Sequence, residues 1–154
     1  YIGALANSIE NHLKTIDWIP DVILSSYHGI PQKYFDKGDP YQCYCHKTNR
    51  LLKEKFGSKI PIEISFQSRF GPASWLRPYT DKTLERLAKE GKKNILIICP
   101  GFSSDCVETL EEIEMEGQET FREHGGEKFS MVPCLNDSND HINLLEYLIK
   151  KHIV

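Results

Sequence analysis

Apolar and polar positions along the chain follow two different periods. Apolar residues at Ile2, Leu5 and Ile9 recur every three or four positions, which is the period of an amphipathic helix. Short uninterrupted apolar runs, such as Val22-Ile23-Leu24 and Ile95-Leu96-Ile97-Ile98, are typical of strands buried on both faces of a parallel sheet. The pattern predicts helices at 2–16, 43–56, 80–90, 104–123 and 138–152, and strands at 21–26, 61–66, 94–99 and 128–132.

This order of elements alternates helix and strand from beginning to end. Such alternation predicts βαβ units and therefore an α/β fold, a four-stranded parallel Rossmann-like sheet with helices on both faces. At 154 residues, of which 40% are hydrophobic, the chain is long enough for one core. It begins within a helical stripe and without a methionine, so we expect it to start inside a longer protein and to form one of two similar domains.

Composition excludes several classes of function. The net charge is −3, and no basic stripe accompanies the aromatic residues, so nucleic acid is not expected as a partner. No apolar stretch approaches the ~20 residues that cross a bilayer, and no leader begins the chain. We expect a protein that is soluble or only peripheral to a membrane. Five cysteines, an odd number, favour a reducing compartment over a disulfide framework.

His28 is the first candidate for chemistry, because it lies on the turn after the first predicted strand. In open α/β sheets, ligands bind at the carboxyl ends of the strands. An imidazole there can take a proton or bind a divalent metal, but it can equally hydrogen-bond its own loop. Gly29 and Pro31 favour a rigid turn, and the local sequence leaves both interpretations open.

Glu108, Glu112 and Glu116 form a second candidate, spaced four residues apart on one predicted helix. This spacing puts three carboxylates on one face, where each like-charged pair costs roughly 0.2–0.5 kcal/mol. A face of this kind can conduct protons or cations. Spacing alone nevertheless favours the simpler interpretation, a solvated acidic face.

Trp75 and Phe102 lie in loops that follow strands, and both are expected at the same rim of the sheet as His28. Aromatic side chains at a rim suit a flat apolar ligand. Large aromatic residues also serve packing, so each of the two retains both interpretations.

The cysteines carry a weaker signal. Cys43 and Cys45 form a C-x-C pair, but no second pair follows at metal-ligand spacing, so we expect no structural zinc site. Cys106 and Cys134 lie in strand-end loops, where they can face a ligand or remain inert.

Three motifs follow one another along the chain, namely Ser26-Tyr27-His28-Gly29-Ile30-Pro31, Gln67-Ser68-Arg69-Phe70-Gly71-Pro72 with Trp75-Leu76, and Phe102-Ser103-Ser104-Asp105 with Glu108-Thr109-Leu110. In identity and order they resemble the motifs of the ferrochelatases, the enzymes that insert ferrous iron into a porphyrin. The resemblance covers nearly the whole chain. It implies that residues 1–154 are the C-terminal α/β domain of a two-domain, bacterial-type chelatase whose N-terminal domain is absent.

The resemblance also implies roles for particular residues. His28 and Glu108 are expected to be catalytic, handling pyrrole protons or binding the metal. Glu112 and Glu116 are expected to form a path for protons or metal, which moves the acidic face from a solvated surface to a functional one. The residues expected around the porphyrin pocket are Trp75, Phe102 and Asp105.

The expected substrates are Fe²⁺ and a porphyrin, either protoporphyrin IX or coproporphyrin III. No [2Fe–2S] cluster is expected, because the chain ends at Val154 without the cysteine-rich extension that carries one in some relatives. Animal relatives have a second histidine where Cys106 stands, so the role of that position is open. These 154 residues alone are expected to be inactive.

The resemblance implies a cytoplasmic location in a bacterium, or the matrix side in a mitochondrion, with peripheral association with the inner membrane and oligomeric state left open. Two rival interpretations remain. One is a half-sized, homodimeric cobaltochelatase, and the other is a non-enzymatic α/β binding domain.

Overall fold

A computed structural model describes residues 1–57 and 60–153 of the chain. The elements in chain order are α1 (Ile2–Leu13), β1 (Val22–His28), α2 (Gln32–Asp36), α3 (Tyr41–Phe56), β2 (Ile62–Gln67), α4 (Thr80–Lys89), β3 (Asn94–Ile98), α5 (Val107–Thr109), a π-helix (Leu110–Gly117), α6 (Gln118–Glu123), β4 (Lys128–Met131) and α7 (Asn139–His152). None of the helices within the described ranges is long and apolar enough to cross a membrane.

The four strands form one parallel sheet in the order β2-β1-β3-β4. Ile23 of β1 pairs with Ile62 of β2 on one side, and Val22 pairs with Ile95 of β3 on the other. The chain therefore leaves β1 in one direction to form β2 and crosses to its other side to form β3. This reversal makes the boundary between β1 and β3 the topological switch point of the sheet.

Helices cover both faces of the sheet, as the apolar runs predict. Side chains alternate along β1, so Leu24 packs on one face with Leu84 of α4 and Ile113 of the π-helix. Ile23 points to the opposite face, where it packs with Ile9 of α1 and Leu52 of α3. The period-two alternation of a strand explains why uninterrupted apolar runs are needed here. The predicted α/β fold is confirmed.

The predicted helix 2–16 is too long, because α1 ends at Leu13. The hydroxyl of Thr15 donates to the backbone carbonyl of His12 at 2.8 Å, a local bond that competes with continued helix. The predicted helix 104–123 begins too early, since the backbone of Asn136 donates to the Ser103 carbonyl at 3.0 Å and holds that segment as a loop.

Two further boundaries differ around the candidate histidine. The predicted strand 21–26 continues as β1 to His28, which is the last strand residue and pairs with Gln67 of β2. Pro31 then precedes the short helix α2, which the sequence pattern does not predict. Five residues are too few for a helical period to stand out, and α2 has no buried side chain.

Candidate active site

The carboxyl ends of β1 and β3 meet at the switch point and bring two of the predicted motifs together. His28 ends β1, and Pro100-Gly101-Phe102 leaves β3 beside it. A Cβ atom on Gly101 would lie 3.6 Å from the His28 backbone nitrogen, so the two loops are in contact. This is the position where doubly wound sheets bind their ligands.

The half-buried imidazole of His28 contacts two aromatic rings. Its centroid is 6.5 Å from the Trp75 ring and 6.1 Å from the Phe102 ring, within the range of aromatic contacts. The backbone of Gln32 donates to the Ser74 carbonyl at 2.8 Å, which ties the loop that carries Trp75 to the segment after β1. The structure thus brings together three residues that lie far apart in sequence.

Hydrogen bonds assign the tautomer of His28. Its Nδ1 lies 2.6 Å from the carbonyl oxygen of Gly29, and a carbonyl can only accept, so Nδ1 carries a proton. In the neutral imidazole, the lone pair is then on Nε2. The hydroxyl of Tyr41 donates to the His28 carbonyl at 2.8 Å and fixes the backbone that carries the ring.

Glu108 stands in the first turn of the helix that follows β3. A hydrogen bond from the Cys106 thiol, then one from its own backbone N–H, and finally the potential of His28 hold the pKa of this carboxyl below its usual value. The anionic form of Glu108 is therefore favoured. Glu108 thus begins the helix that follows β3, and β3 is the strand beside β1, which His28 ends.

Glu112 is held by the first residue after β2. The backbone N–H of Ser68 donates to Glu112 Oε1 at 2.6 Å, and the Ser68 hydroxyl donates to Oε2 at 2.6 Å. Glu116 is exposed, and with Glu112 it lines a cavity of about 220 Å³ that also contacts Arg69 and Thr80. Two of the three carboxylates of the acidic face therefore line one polar cavity.

The helix that carries the acidic face is not a plain α-helix, which corrects the geometry assumed from its sequence. Residues Leu110–Gly117 form a π-helix, continuous with α5 before it and α6 after it. In this geometry the hydrogen bonds run from i to i+5, and the turn is wider. Glu112 and Glu116 both lie on this segment, and such segments are frequent at functional sites.

Asp105 supports the start of this helix. Its Oδ1 accepts from the Cys134 backbone at 3.1 Å and from the Thr109 hydroxyl at 3.3 Å, and Oδ2 accepts from Asn136 at 2.7 Å. Partial burial raises the pKa of the carboxyl, but the bonds from Asn136, Cys134 and Thr109 outweigh it, so the pKa lies below its ordinary value. Both oxygens of Asp105 serve to fix this loop, and its predicted place at the porphyrin stays a prediction.

All five cysteines are free thiols. Burial, followed by a hydrogen bond with Asp105, raises the pKa of the Cys134 thiol. Cys99 is buried and its thiol pKa is also raised, again mainly by burial, as expected for a core residue. Within residues 1–57 and 60–153, no group of three or more His, Cys, Asp or Glu side chains is arranged to hold a metal ion.

Two residues next to the site were not singled out from the sequence. Gln67 donates to the backbone carbonyl of Glu108 at 2.7 Å, and Ser68 binds Glu112 as described above. One signal was available, because Ser26 and Gln67 are polar residues within the buried strands β1 and β2, and buried polar groups must find partners. Which partners they find depends on the strand order, which the sequence does not reveal.

The architecture defines the class of this protein as a doubly wound α/β protein, with strand order β2-β1-β3-β4 and a switch point between β1 and β3. Comparison with known sequences makes this specific, since the sequence model of the ferrochelatase family matches residues 1–153. The chain is 58% identical over 154 residues to the ferrochelatase of Allorhizobium ampelinum strain S4. It is 56% identical to the ferrochelatase of Rhizobium meliloti strain 1021. The chain belongs to the ferrochelatase family.

Both alignments cover 99% of this chain but 45% of each relative. The chain therefore spans less than half the length of the curated relatives it matches. A solved structure, the CbiX protein of Marinobacter aquaeolei VT8, is similar with a TM-score of 0.56 over 86% of this chain and 96% of that one. At 14% sequence identity, this likeness shows a shared fold alone.

Proposed function

We propose that this chain takes part in the insertion of Fe²⁺ into a porphyrin, protoporphyrin IX or coproporphyrin III, to form haem. Residues 1–154 act as the C-terminal α/β domain of a two-domain enzyme, and the other domain supplies the second wall of the cleft. Without that wall, the 154 residues do not catalyse the reaction.

One observation carries the proposal. The imidazole of His28, with Nε2 as its acceptor, contacts both Trp75 and Phe102 at the end of β1, and the helix that carries Glu108 follows the neighbouring strand β3. Two aromatic side chains provide apolar surface for a flat ring, and the acid and imidazole provide sites for protons or a metal. Relatives more than half identical to this chain carry the name ferrochelatase.

The reaction exchanges one metal ion for two protons. A free-base porphyrin carries two pyrrole N–H groups, so Fe²⁺ and porphyrin give haem and two H⁺. His28 Nε2 and the Glu108 carboxylate accept these protons or hold the incoming Fe²⁺ before transfer. Imidazole and carboxylate are credible transient ligands for Fe²⁺, and weak binding is required because the ion must move on to the ring.

A planar porphyrin hides its nitrogen lone pairs, so insertion is easier when the ring is distorted. Trp75 and Phe102 lie on loops that are held at the strand ends. Rigid aromatic contacts of this kind can bind a distorted porphyrin, because the binding energy offsets the cost of the distortion. Asp105 stays in the proposal as a residue near the pocket, where it acts by fixing the loop after Phe102.

In this proposal Glu112 and Glu116, which line the polar cavity beside Arg69, form the route between the cleft and solvent. Charge that enters or leaves a half-buried site needs a route to solvent, and a row of carboxylates supplies one for cations or protons. Glu116 is exposed at the outer end, and Glu112 stands between it and Glu108 along the helix.

The rivals receive less support. The likeness to CbiX is compatible with a half-sized cobaltochelatase, but at 14% identity it concerns the fold, whereas identity to ferrochelatases reaches 58%. A purely binding domain does not explain why His28, Trp75 and Phe102 converge at the switch point.

The remaining parts of the proposal concern the setting. We expect a cytoplasmic enzyme with peripheral contact with the membrane, and Phe70, 85% exposed on the loop after β2 beside Arg69, offers a side chain for such a contact. The expectation of no [2Fe–2S] cluster stays a prediction, and the oligomeric state stays open.

Two substitutions test the proposal in the product of the complete gene. We expect His28→Ala and Glu108→Ala each to lower kcat for iron insertion by about 10²–10⁴-fold, the usual contribution of a positioned acid or base. Glu114→Ala is the control, because this glutamate is exposed on the same helix and does not line the cavity that Glu112 and Glu116 share. Porphyrin absorbance follows the reaction, and thermal unfolding verifies the fold. Undiminished insertion by both folded variants would show the catalytic assignment to be wrong.

A further inference from the structure

Ser68 has a backbone conformation that is unusual for its residue type. Its φ angle is +63°, in the left-handed region that favours glycine. A non-glycine residue persists there only when its surroundings fix it, and such residues are frequent at functional sites. In this conformation both the N–H and the hydroxyl of Ser68 reach the carboxylate of Glu112, each at 2.6 Å.

Gln67, the residue before Ser68, contacts the same helix about one turn earlier, at Glu108. Gln67 is 3% exposed, and its Oε1 accepts from the Ser26 hydroxyl at 2.7 Å. Its Nε2 donates to the backbone carbonyl of Glu108 at 2.7 Å. Consecutive residues at the end of β2 therefore hold successive turns of the helix that carries the acidic face.

We propose that Gln67 and Ser68 form a clamp that positions the acidic face, in which Ser68 fixes the side chain of Glu112 and Gln67 fixes the backbone of Glu108. The inference rests on the proposed function, because it assigns the clamp to the residues that move protons or metal. Ser68 is thus a positioning residue, which acts through Glu112 rather than on the substrates.

The clamp has a clear physical consequence for Glu112. Hydrogen bonds to an ionised carboxylate are stronger than those between neutral groups, and two of them leave the side chain one orientation. Glu112 then stands at a set position between Glu108 and the exposed Glu116. A carboxylate released from Ser68 would sample other rotamers, and transfer along the face would slow.

A double-mutant cycle in the product of the complete gene tests this inference. The variants are Ser68→Ala, Glu112→Ala and the double variant, each assayed for kcat and for the KM of the porphyrin. We expect Ser68→Ala to lower kcat about tenfold with little change in KM, the size of one lost charge-assisted bond. In the Glu112→Ala background, removing the hydroxyl should have no further effect. Ser74→Ala is the matched control, because Ser74 is exposed on the same loop.

Two further variants separate positioning from folding. Ser68→Gly removes the hydroxyl and also relieves the strain of a side chain on a left-handed backbone. This variant should therefore fold well and still show a lower kcat. Ser68→Asn tolerates this backbone and offers an amide donor, so it should recover part of the activity. Recovery by Asn is not expected of a residue that serves stability alone.

The outcomes distinguish this inference from the function on which it rests. Additive effects in the cycle, or full kcat in a folded Ser68→Gly variant, overturn the clamp. Full activity in Glu112→Ala with inactive His28→Ala also overturns the clamp but leaves iron insertion at His28 in place. Full activity in both His28→Ala and Glu108→Ala would contradict the proposed function itself.

Discussion

Replacing Gly29 with alanine tests how closely β1 and β2 must approach beside His28. The φ angle of Gly29 is not in the left-handed region, so a substitution here acts through the lack of room for a side chain. An added Cβ would lie 2.9 Å from the backbone carbonyl oxygen of Gln67 and 3.3 Å from Trp75 Cε3. The Gly29 N–H already donates to the same Gln67 carbonyl at 2.8 Å, so that oxygen cannot move away without weakening a hydrogen bond between the two segments.

The size of the effect follows from these distances. Carbon and oxygen in favourable contact lie about 3.3–3.6 Å apart, so the two segments must separate by about 0.4 Å or more. Overpacking of this kind costs roughly 1–3 kcal/mol of the free energy of unfolding. Because a misplacement of about 1 Å can cost 10²-fold in rate, we expect Gly29→Ala to lower kcat about tenfold through His28 and Trp75.

The assay combines thermal unfolding with iron insertion in the product of the complete gene. Each kcal/mol lost should lower Tm by about 2–4 °C for a domain of this size. Gly101→Ala is the matched steric control, because its Cβ would meet its nearest neighbours at an ordinary 3.6 Å. Equal Tm and equal kcat for Gly29→Ala and the native protein would refute the steric argument.

Two other predictions concern stability. The pKa of Asp105 lies below its ordinary value of 3.8. The ionised carboxylate therefore contributes its full stabilisation of the fold above pH 3.8, and this stabilisation is lost as the pH falls through the lower pKa of the folded state. Asp105→Asn should make Tm depend less on pH on the acid side, and an unchanged profile of Tm against pH would contradict this. Leu96 is fully buried in β3, so Leu96→Ala should lower the free energy of unfolding by about 2–5 kcal/mol in denaturant titrations, whereas a loss below 1 kcal/mol would mean that this face is not the core.

Much of the fold was predictable because its signal is local. The run Ile95-Leu96-Ile97-Ile98 alternates between two faces in the structure, and both faces needed an apolar side chain. Helix ends were predicted less well, since α1 stops at a hydrogen bond from Thr15 to His12 that an apolar period cannot reveal. The π-helix over Leu110–Gly117 was also missed, because a spacing of four fits an α-helix equally well.

The candidate site was predictable in part. Motif order pointed to His28, Trp75 and Phe102. In the structure, the ring centroids of Trp75 and Phe102 lie 6.5 and 6.1 Å from that of His28. The contacts of Gln67 and Ser68 with the acidic helix were not predictable, since they join positions 41 and 44 residues apart.

By itself, the sequence determined the alternation of helices and strands, the two-faced core and the motifs of a ferrochelatase. These depend on the period of side chains along a backbone and on the identity of neighbouring residues. The tertiary structure decided the strand order β2-β1-β3-β4, the left-handed backbone of Ser68 and the tautomer of His28. Each of these depends on which distant groups become neighbours, and that choice is made by packing over the whole chain.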